Sequence, residues 1–171
     1  MLEAFYPREC AGSVWDIPWE EWYARGMRGV IFDIDNTLTP HGARADERVI
    51  QLFAHLRKTG LRTCLLSNNE EPRVAPFAEA VQSVYICKAD KPAKRGYRCA
   101  MEQMGTAPET TLFVGDQLFT DVWGANRCGI YAILVEPIHP KEEIQIVLKR
   151  RLEAVVLYFY RKREAKSHKS S

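Results

Sequence analysis

The segment from residue 29 to residue 135 alternates short apolar runs with stretches of helical spacing, and this alternation restricts the possible folds most strongly. Five apolar runs have the length and composition of buried strands, namely 29–33, 61–66, 84–86, 111–114 and 130–135. Four segments between them repeat apolar side chains with a helical period, namely 46–58, 72–81, 94–104 and 116–127. Strands joined by helices in this order predict an α/β fold with a doubly wound, three-layer parallel sheet.

The chain divides into three parts around this predicted core. Its 171 residues suit one compact domain, which we assign to residues 29–140. Residues 1–28 are rich in aromatic side chains and are predicted to pack on the core, with a short helix at 19–25. Residues 141–171 are predicted to form a basic amphipathic helix over 141–163 and a tail, because eight Lys or Arg accompany only two Glu from residue 149 onward.

Carboxylates follow two of the predicted strands at the points where those strands end. Asp33 and Asp35 come directly after the first strand, and Asp116 follows the fourth, with Asp121 further along the same segment. Because ligands bind outside the carboxyl ends of the strands in such sheets, these side chains are expected to lie together at one edge. Converging carboxylates repel one another unless a cation lies between them, so the pattern indicates a metal site.

A calcium-binding EF-hand loop is the alternative explanation for the carboxylates that begin at Asp33. Such a loop needs Gly at its sixth position and Glu at its twelfth. Those positions hold Leu38 and Arg44, which excludes an EF-hand.

Two further polar groups fall between the carboxylate motifs. Ser67 and Asn68 close the second predicted strand, and Lys91 precedes a proline and a helix. Taken singly, a Ser or Asn at a strand end is more often a helix cap, and a lone Lys is usually solvated. Four such elements in this order, each at the same predicted sheet edge, together indicate a functional site.

These motifs resemble those of the haloacid dehalogenase (HAD) superfamily of phosphatases, whose fold is Rossmann-like. D-x-D-x-T, a strand-end Ser, Lys-Pro and G-D-x-x-x-x-D occur here in that superfamily's order, across about residues 29–135. The closer likeness is to the YqeG-type class IIIA branch, and the segments that carry it read IFDIDNTLTP, LLSNNEE, KADKPAKRGY and VGDQLFTDVWGANRCGI.

The resemblance and the chemistry of the residues imply a magnesium-dependent phosphatase. Asp33 would attack phosphorus and form an aspartyl-phosphate, and Asp35 would act as the general acid and base. The implied Mg²⁺ ligands are Asp33, the backbone carbonyl of Asp35 and Asp116. Asp121 would orient a lysine or a metal-bound water. The implied phosphate-binding residues are Thr37, Ser67, Asn68 and Lys91, with Lys94 as the rival for the lysine role.

The spacing of the motifs also bears on the substrate. The intervals from Thr39 to Ser67 and from Ser67 to Lys91 each hold only one helix and one strand, so we expect no cap domain and an open site. The YqeG-type branch is similar to mitochondrial phosphatidylglycerophosphate phosphatases. The resemblance therefore implies a phospholipid substrate, and the basic helix is expected to lie on an anionic membrane surface.

Three other functions remain open on the sequence alone. A phosphatase of small soluble phosphates would carry the same motifs, as would a nucleic-acid phosphatase. The basic tail lacks the interleaved aromatic residues of a nucleic-acid site, so no nucleic acid is expected. A non-catalytic binding module with this fold would normally lack a nucleophile or metal ligand. The chain shows no export signal or membrane-spanning run, so we expect a cytoplasmic protein on the inner face of the membrane.

Overall fold

The computed structural model of the protein describes residues 2–139 and 152–162, and these form one six-stranded parallel sheet flanked by helices. The strands are β1 (Glu9–Ala11), β2 (Gly29–Phe32), β3 (Arg62–Leu66), β4 (Val84–Ile86), β5 (Thr111–Gly115) and β6 (Tyr131–Val135). The helices are α1 (Trp19–Ala24), α2 (Glu47–Thr59), α3 (Glu71–Val81), α4 (Lys94–Met104), α5 (Trp123–Arg127) and α6 (152–162). The α/β parallel-sheet fold expected from the sequence is confirmed.

Alternating side chains of the central strands enter two separate cores, and this produces the three layers. Val30 and Phe32 on β2 point into one apolar cluster, which α1, α2 and α3 cover. Ile31, between them, points into the second cluster, which α4, α5 and α6 cover. Because both faces are buried, β2 reads as a continuous apolar run and not as an alternating one.

The strand order is β1-β6-β5-β2-β3-β4, so the chain changes direction across the sheet between β2 and β5. From β2 the chain proceeds through β3 to β4 on one side, and it returns to build β5 and β6 on the other. Ligands of doubly wound sheets bind in the crevice outside the strand ends at such a point. The two strands beside this crevice are the ones that Asp33 and Asp116 follow.

Two details of the fold differ from the sequence-based expectation, and a third is described only in part. Residues 1–28 contribute the edge strand β1, so the sheet has six strands and not five. The predicted helix at 116–127 starts as a π-helical turn at Leu118–Val122 before it continues as α5. Of the predicted helix at 141–163, the structure describes 152–162 as helical, and the remainder of the 141–171 segment lies outside the described residues.

Helix α6 packs on the second core through one face. Val156 is buried in that cluster, and the ring of Tyr160 lies 5.2 Å from that of Tyr6. Glu153 on the same face is also buried, and its carboxylate accepts hydrogen bonds from the backbone N–H groups of Leu118 and Phe119 at 3.1 and 3.4 Å. The helix is therefore tied to the loop that follows Asp116.

The connections at the carboxyl edge of the sheet are short. Within the part of the chain that the structure describes, the intervals 39–67 and 67–91 each hold one helix and one strand and no inserted domain, as the sequence predicted. Among the same residues, none of the helices is long and apolar enough to cross a membrane.

Candidate active site

Asp33 and Asp116 lie side by side because of the register between β2 and β5. Phe32 is paired with Val114, and the backbone N–H of Asp33 donates to the carbonyl of Val114 at 3.0 Å. Both carboxylates therefore leave the sheet at neighbouring positions, and both residues are 7% exposed. This register places the two motifs together at one edge of the sheet, as expected from the sequence.

The loop after Asp33 folds back over the carboxylates. The backbone N–H groups of Thr37 and Leu38 donate to the carbonyl of Ile34 at 3.3 and 3.0 Å, and Ile34 and Leu38 are anchored in the apolar core. This tight turn brings the Thr37 hydroxyl 3.4 Å from Asp33 Oδ2 and 3.4 Å from Asp116 Oδ1.

The ammonium group of Lys91 lies between two aspartates. Its Nζ is 2.5 Å from Asp33 Oδ1 and 2.7 Å from Asp121 Oδ1, and its side chain is 4% exposed. The side chain of Asn68 holds the Lys91 backbone from both sides, since Oδ1 accepts from its N–H at 2.6 Å and Nδ2 donates to its carbonyl at 3.3 Å. Lys94, the rival considered for this role, begins α4 instead.

Asp121 is fully buried, and its carboxylate forms an ion pair with Lys91. Its second oxygen accepts from the backbone N–H of Gln117 at 3.1 Å, so both oxygens have donors. The carboxylate packs directly on Gly115, where an added Cβ would lie only 2.5 Å from Asp121 Oδ2. The glycine of the G-D motif therefore makes room for the aspartate that holds the lysine.

Burial and charge together set the ionisation of this cluster. Burial raises the pKa of the Asp33 carboxyl to about 6, with Lys91 opposing the shift and Asp121 adding to it. For Lys91, burial alone would lower the pKa, but the charges of Asp121 and Asp33 outweigh it and raise the pKa above its usual value. At neutral pH the cluster therefore contains an ionised Asp33 paired with a charged Lys91.

Asp35 occupies a different environment, although it is only two residues from Asp33. Its Oδ1 accepts from Arg73 Nη2 at 2.8 Å and from the Gly42 N–H at 2.9 Å, and its Oδ2 accepts from Asn69 Nδ2 at 2.5 Å. Partial burial alone would raise the pKa of Asp35, but the hydrogen bonds from Arg73 and Gly42 outweigh burial and hold the pKa below its usual range.

Ser67 follows β3 at the same sheet edge and is 2% exposed. Its hydroxyl accepts a hydrogen bond from the backbone N–H of Asn69 at 3.1 Å. The carbonyl of Ser67 accepts from the N–H of Ala89 at 3.0 Å, so the loop after β3 runs beside the loop that carries Lys91. All the residues that the sequence predicted for the site follow β2, β3, β4 or β5 at this one edge: Asp33, Asp35, Thr37, Ser67, Asn68, Lys91, Asp116 and Asp121.

Three buried carboxylates could hold a divalent cation here. One oxygen each of Asp33, Asp116 and Asp121 lies within 4.8 Å of the other two. Asp121 is fully buried and accepts from Lys91 and from the Gln117 N–H, whereas Asp33 and Asp116 are each 7% exposed at the strand ends, which leaves these two better suited as direct ligands. A donor set made only of oxygen fits a hard cation such as Mg²⁺.

Sequence reasoning missed the side chains that surround Asp35. Arg73 lies on the first turn of α3, six residues after Ser67, and Asn69 belongs to the polar cluster that ends β3. A cation in the first turn of a helix opposes the helix dipole, and this was a signal that Arg73 has a partner elsewhere. Glu153, in contrast, carried no signal, since it lies among basic residues of the predicted amphipathic helix.

Comparisons with known proteins show the family to which the chain belongs. A family model described as haloacid dehalogenase-like hydrolase matches residues 43–129, downstream of Asp33. The probable phosphatase YqeG of Bacillus subtilis (strain 168) is 34% identical over 159 residues, which is 92% of each chain. The chain therefore belongs to the haloacid dehalogenase-like hydrolases, is similar over nearly its whole length to YqeG, and is a phosphatase.

Two longer plant and algal proteins are also similar. Phosphatidylglycerophosphate phosphatase 1 of Chlamydomonas reinhardtii is 30% identical over 86% of this chain, and its Arabidopsis thaliana counterpart is 31% identical over 82%. The matches span only 59% and 44% of those proteins.

Solved structures support the fold alone. The cobalt-bound deoxy-D-mannose-octulosonate 8-phosphate phosphatase of Haemophilus influenzae superposes with a TM-score of 0.53 at 16% identity, covering 66% of this chain and 80% of its own. A putative 3-deoxy-D-manno-octulosonate 8-phosphate phosphatase of Vibrio cholerae gives 0.54 at 17% identity, covering 71% and 72%.

Proposed function

We propose that this phosphatase is a magnesium-dependent phosphomonoester hydrolase that works through an aspartyl-phosphate on Asp33, and that its substrate is phosphatidylglycerophosphate. The observation that carries the chemical part is the contact of Lys91 Nζ with Asp33 Oδ1 beside Asp116 at the sheet edge. A buried carboxylate next to a fixed ammonium can attack a phosphate that the same ammonium binds.

In the first step, an oxygen of Asp33 forms a bond to phosphorus while the bond from phosphorus to the alcohol oxygen breaks. Asp35 gives its proton to the departing alcohol oxygen. In the free protein Asp35 is ionised, because Arg73 and Gly42 stabilise its anion. The negative charge of a bound phosphate monoester would raise the pKa of Asp35 and favour the protonated form that this step needs.

In the second step, water attacks the phosphorus of the aspartyl-phosphate and Asp35 accepts its proton. The bond between phosphorus and Asp33 breaks, which restores the Asp33 carboxylate and releases inorganic phosphate. Lys91, Thr37, Ser67 and the Asn68 backbone would hold the phosphoryl oxygens in both steps. Mg²⁺ bound by Asp33, Asp116 and the Asp35 carbonyl would supply charge that offsets the repulsion between nucleophile and phosphate.

Three observations support a lipid substrate. Two similar proteins bear the name phosphatidylglycerophosphate phosphatase 1. The described connections at the sheet edge leave the site open, which suits a phosphate presented at a surface. Helix α6 exposes a row of large apolar side chains and carries basic residues, as a helix lying on an anionic membrane would; the apolar residues are Leu152, Val155, Tyr158 and Phe159.

The proposal is tested by phosphate release from phosphatidylglycerophosphate in phosphatidylglycerol vesicles, compared with glycerol 3-phosphate and a 3′-phosphorylated oligonucleotide. We expect a preference for the lipid and loss of activity in excess chelator. Asp33→Asn should remain folded and lose activity by about 10⁴-fold or more on every substrate, because the nucleophile is gone.

Asp46→Asn is the matched control for the same chemical change. Asp46 caps α2 by accepting from the Val49 N–H at 2.9 Å, and Asn is an equally good cap, so both fold and activity should persist. Substantial turnover by folded Asp33→Asn would remove Asp33 as nucleophile. If the oligonucleotide or glycerol 3-phosphate is hydrolysed as fast as phosphatidylglycerophosphate or faster, the protein is still a phosphatase, but the lipid substrate is refuted.

A further inference from the structure

A groove opens at the carboxyl edge of the sheet, on the side of Asp116 that faces away from Lys91 and β3. It lies between the ends of β1 and β6 and helix α6, and it has a volume of about 380 Å³. Asp116 itself contributes to its lining. Since β5 lies between β2 and β6 in the sheet, Asp116 marks the end of the groove that is nearest to Asp33.

The walls of the groove are mainly apolar. Leu134 and Val135 at the end of β6 form one wall, and Ala154 and Leu157 on α6 form part of the other. Leu134 and Leu157 are partly buried against the second core, so their remaining surface is available to the groove. An apolar groove that begins at a proposed metal ligand is suited to the carbon chain of a molecule whose phosphate lies at that metal.

Helix α6 contributes Glu153, Ala154, Leu157 and Arg161 to the lining of the groove. Glu153 and Val156 face the protein interior, whereas Val155 is 53% exposed to solvent. Ala154 and Leu157 are three residues apart, so they lie on a common face, and that face borders the groove. The side chains of the exposed apolar row of α6 are not among the residues that line the groove.

The α6 wall is held in position relative to the catalytic loop. Glu153, next to Ala154, accepts hydrogen bonds from the N–H groups of Leu118 and Phe119, which lie two and three residues after Asp116 in the chain. A buried carboxylate with two backbone donors is a strong fixed contact. The groove and the proposed phosphate site thus share one structural support.

We infer that this groove binds the alcohol part of the substrate, and that the enzyme takes amphiphilic phosphomonoesters whose carbon chain lies against Leu134, Ala154 and Leu157. The inference rests on the proposed function in that the phosphate group is taken to lie at Asp33 and Asp116. It adds a specific binding surface for the chain, which neither the catalytic residues nor membrane attachment through α6 would supply.

The test uses n-alkylphosphonates from ethyl to octyl, which bind without being hydrolysed, at concentrations where they are monomeric. Their Kd is measured by calorimetry on the full-length protein with Mg²⁺. Because each buried methylene contributes to binding, the wild-type Kd should fall by about two- to fourfold per methylene until the groove is filled. Free phosphonates in solution keep membrane attachment out of the measurement.

Two variants alter the groove in different ways, and one matched variant does not touch it. Leu157→Gln removes an apolar wall, and Ala154→Gln places a polar side chain in the groove from an exposed position without loss of core contacts. Both should flatten the dependence of Kd on chain length while leaving the Kd of ethylphosphonate unchanged. Leu152→Gln makes the same change as Leu157→Gln on the same helix, at a side chain that is 57% exposed, and should retain the wild-type dependence.

The inference is overturned if the wild-type Kd does not depend on chain length, or if both groove variants keep the wild-type dependence. Absence of binding by every phosphonate overturns it as well. A clear dependence together with no release of phosphate from phosphatidylglycerophosphate would keep the groove and refute the proposed lipid. Turnover of that lipid without any dependence of the Kd on chain length would support the proposed lipid and refute the groove.

Discussion

The carboxyl edge of the central strands and helix α6 present opposite kinds of surface. At the edge, charged groups are buried and paired, as with Lys91, whose side chain is 4% exposed between Asp33 and Asp121. On α6, apolar groups are exposed, and Tyr158 is 61% exposed. Both arrangements are costly for a folded protein unless they serve a purpose. We therefore assign bond breaking to the edge, and selection of the substrate and its surroundings to α6.

Among the changes that test this comparison, Lys91→Met at the sheet edge is expected to have the largest effect. Lys91→Met leaves Asp33 and Asp121 buried without their counter-charge, so the free energy of unfolding should fall by about 3–5 kcal/mol. Activity on lipid and soluble phosphates alike should fall by about 10²–10³-fold, because a donor to the transition state is lost. Urea denaturation and phosphate release measure the two quantities.

Lys94→Met is the control for Lys91→Met, since Lys94 begins α4 and lies outside the contacts of Asp33. It should change stability by less than about 0.5 kcal/mol. A loss confined to the lipid substrate in Lys91→Met would contradict the separation of the two regions.

The contact that joins the two regions should have the next largest effect. Glu153→Ala leaves the buried N–H of Leu118 without its acceptor, which costs about 1–3 kcal/mol of unfolding free energy. Because Leu118 follows Asp116 closely, Mg²⁺ binding should weaken as well. Glu153→Gln keeps an acceptor oxygen and should recover most of both losses. Removal of the whole helix is a less informative test, since it deletes this contact together with the exposed face.

Competition between protons and Mg²⁺ for Asp33 should change the affinity for Mg²⁺ by about tenfold. The pKa of Asp33 is raised to about 6, so the carboxyl is mostly protonated at pH 5 and mostly ionised at pH 7. Since only the ionised form binds a cation, the affinity for Mg²⁺ should be about tenfold weaker at pH 5 than at pH 7. Calorimetry at the two pH values checks this, and equal affinities would show that Asp33 is not a ligand with that pKa.

The smallest effect is expected on the exposed face of α6. Val155→Ser should reduce binding to phosphatidylglycerol vesicles by about fivefold, since a half-exposed valine contributes about half of its full burial energy at a membrane. Activity on glycerol 3-phosphate should not change. Val84→Ser, at a valine that is 42% exposed on β4, is the matched control and should bind vesicles as the wild type does. Equal losses in the two variants would show that α6 has no special role at a membrane.

Much of the fold could be predicted from the sequence because the central strands are buried on both faces. Continuous apolar runs such as Val30–Phe32 can be recognised without knowledge of their partners, and each is followed by polar residues where the strand ends. The carboxyl-edge location of Asp33, Asp116 and Lys91 then follows from the parallel arrangement alone. The edge strand β1 could not be predicted, because its three residues become a strand only when they pair with β6.

What the sequence by itself determined was the set of reactive groups and the edge on which they lie, since both depend on local pattern and on the direction of the strands. Only the tertiary structure decided how these groups are paired. Three of these pairings join residues that are distant in the chain. They are the hydrogen bond from Arg73 to Asp35, the contacts of Lys91 with Asp33 and Asp121, and the contact of Glu153 with Leu118. Such pairings depend on how helices pack on the two faces of the sheet, and no local spacing in the sequence records that packing.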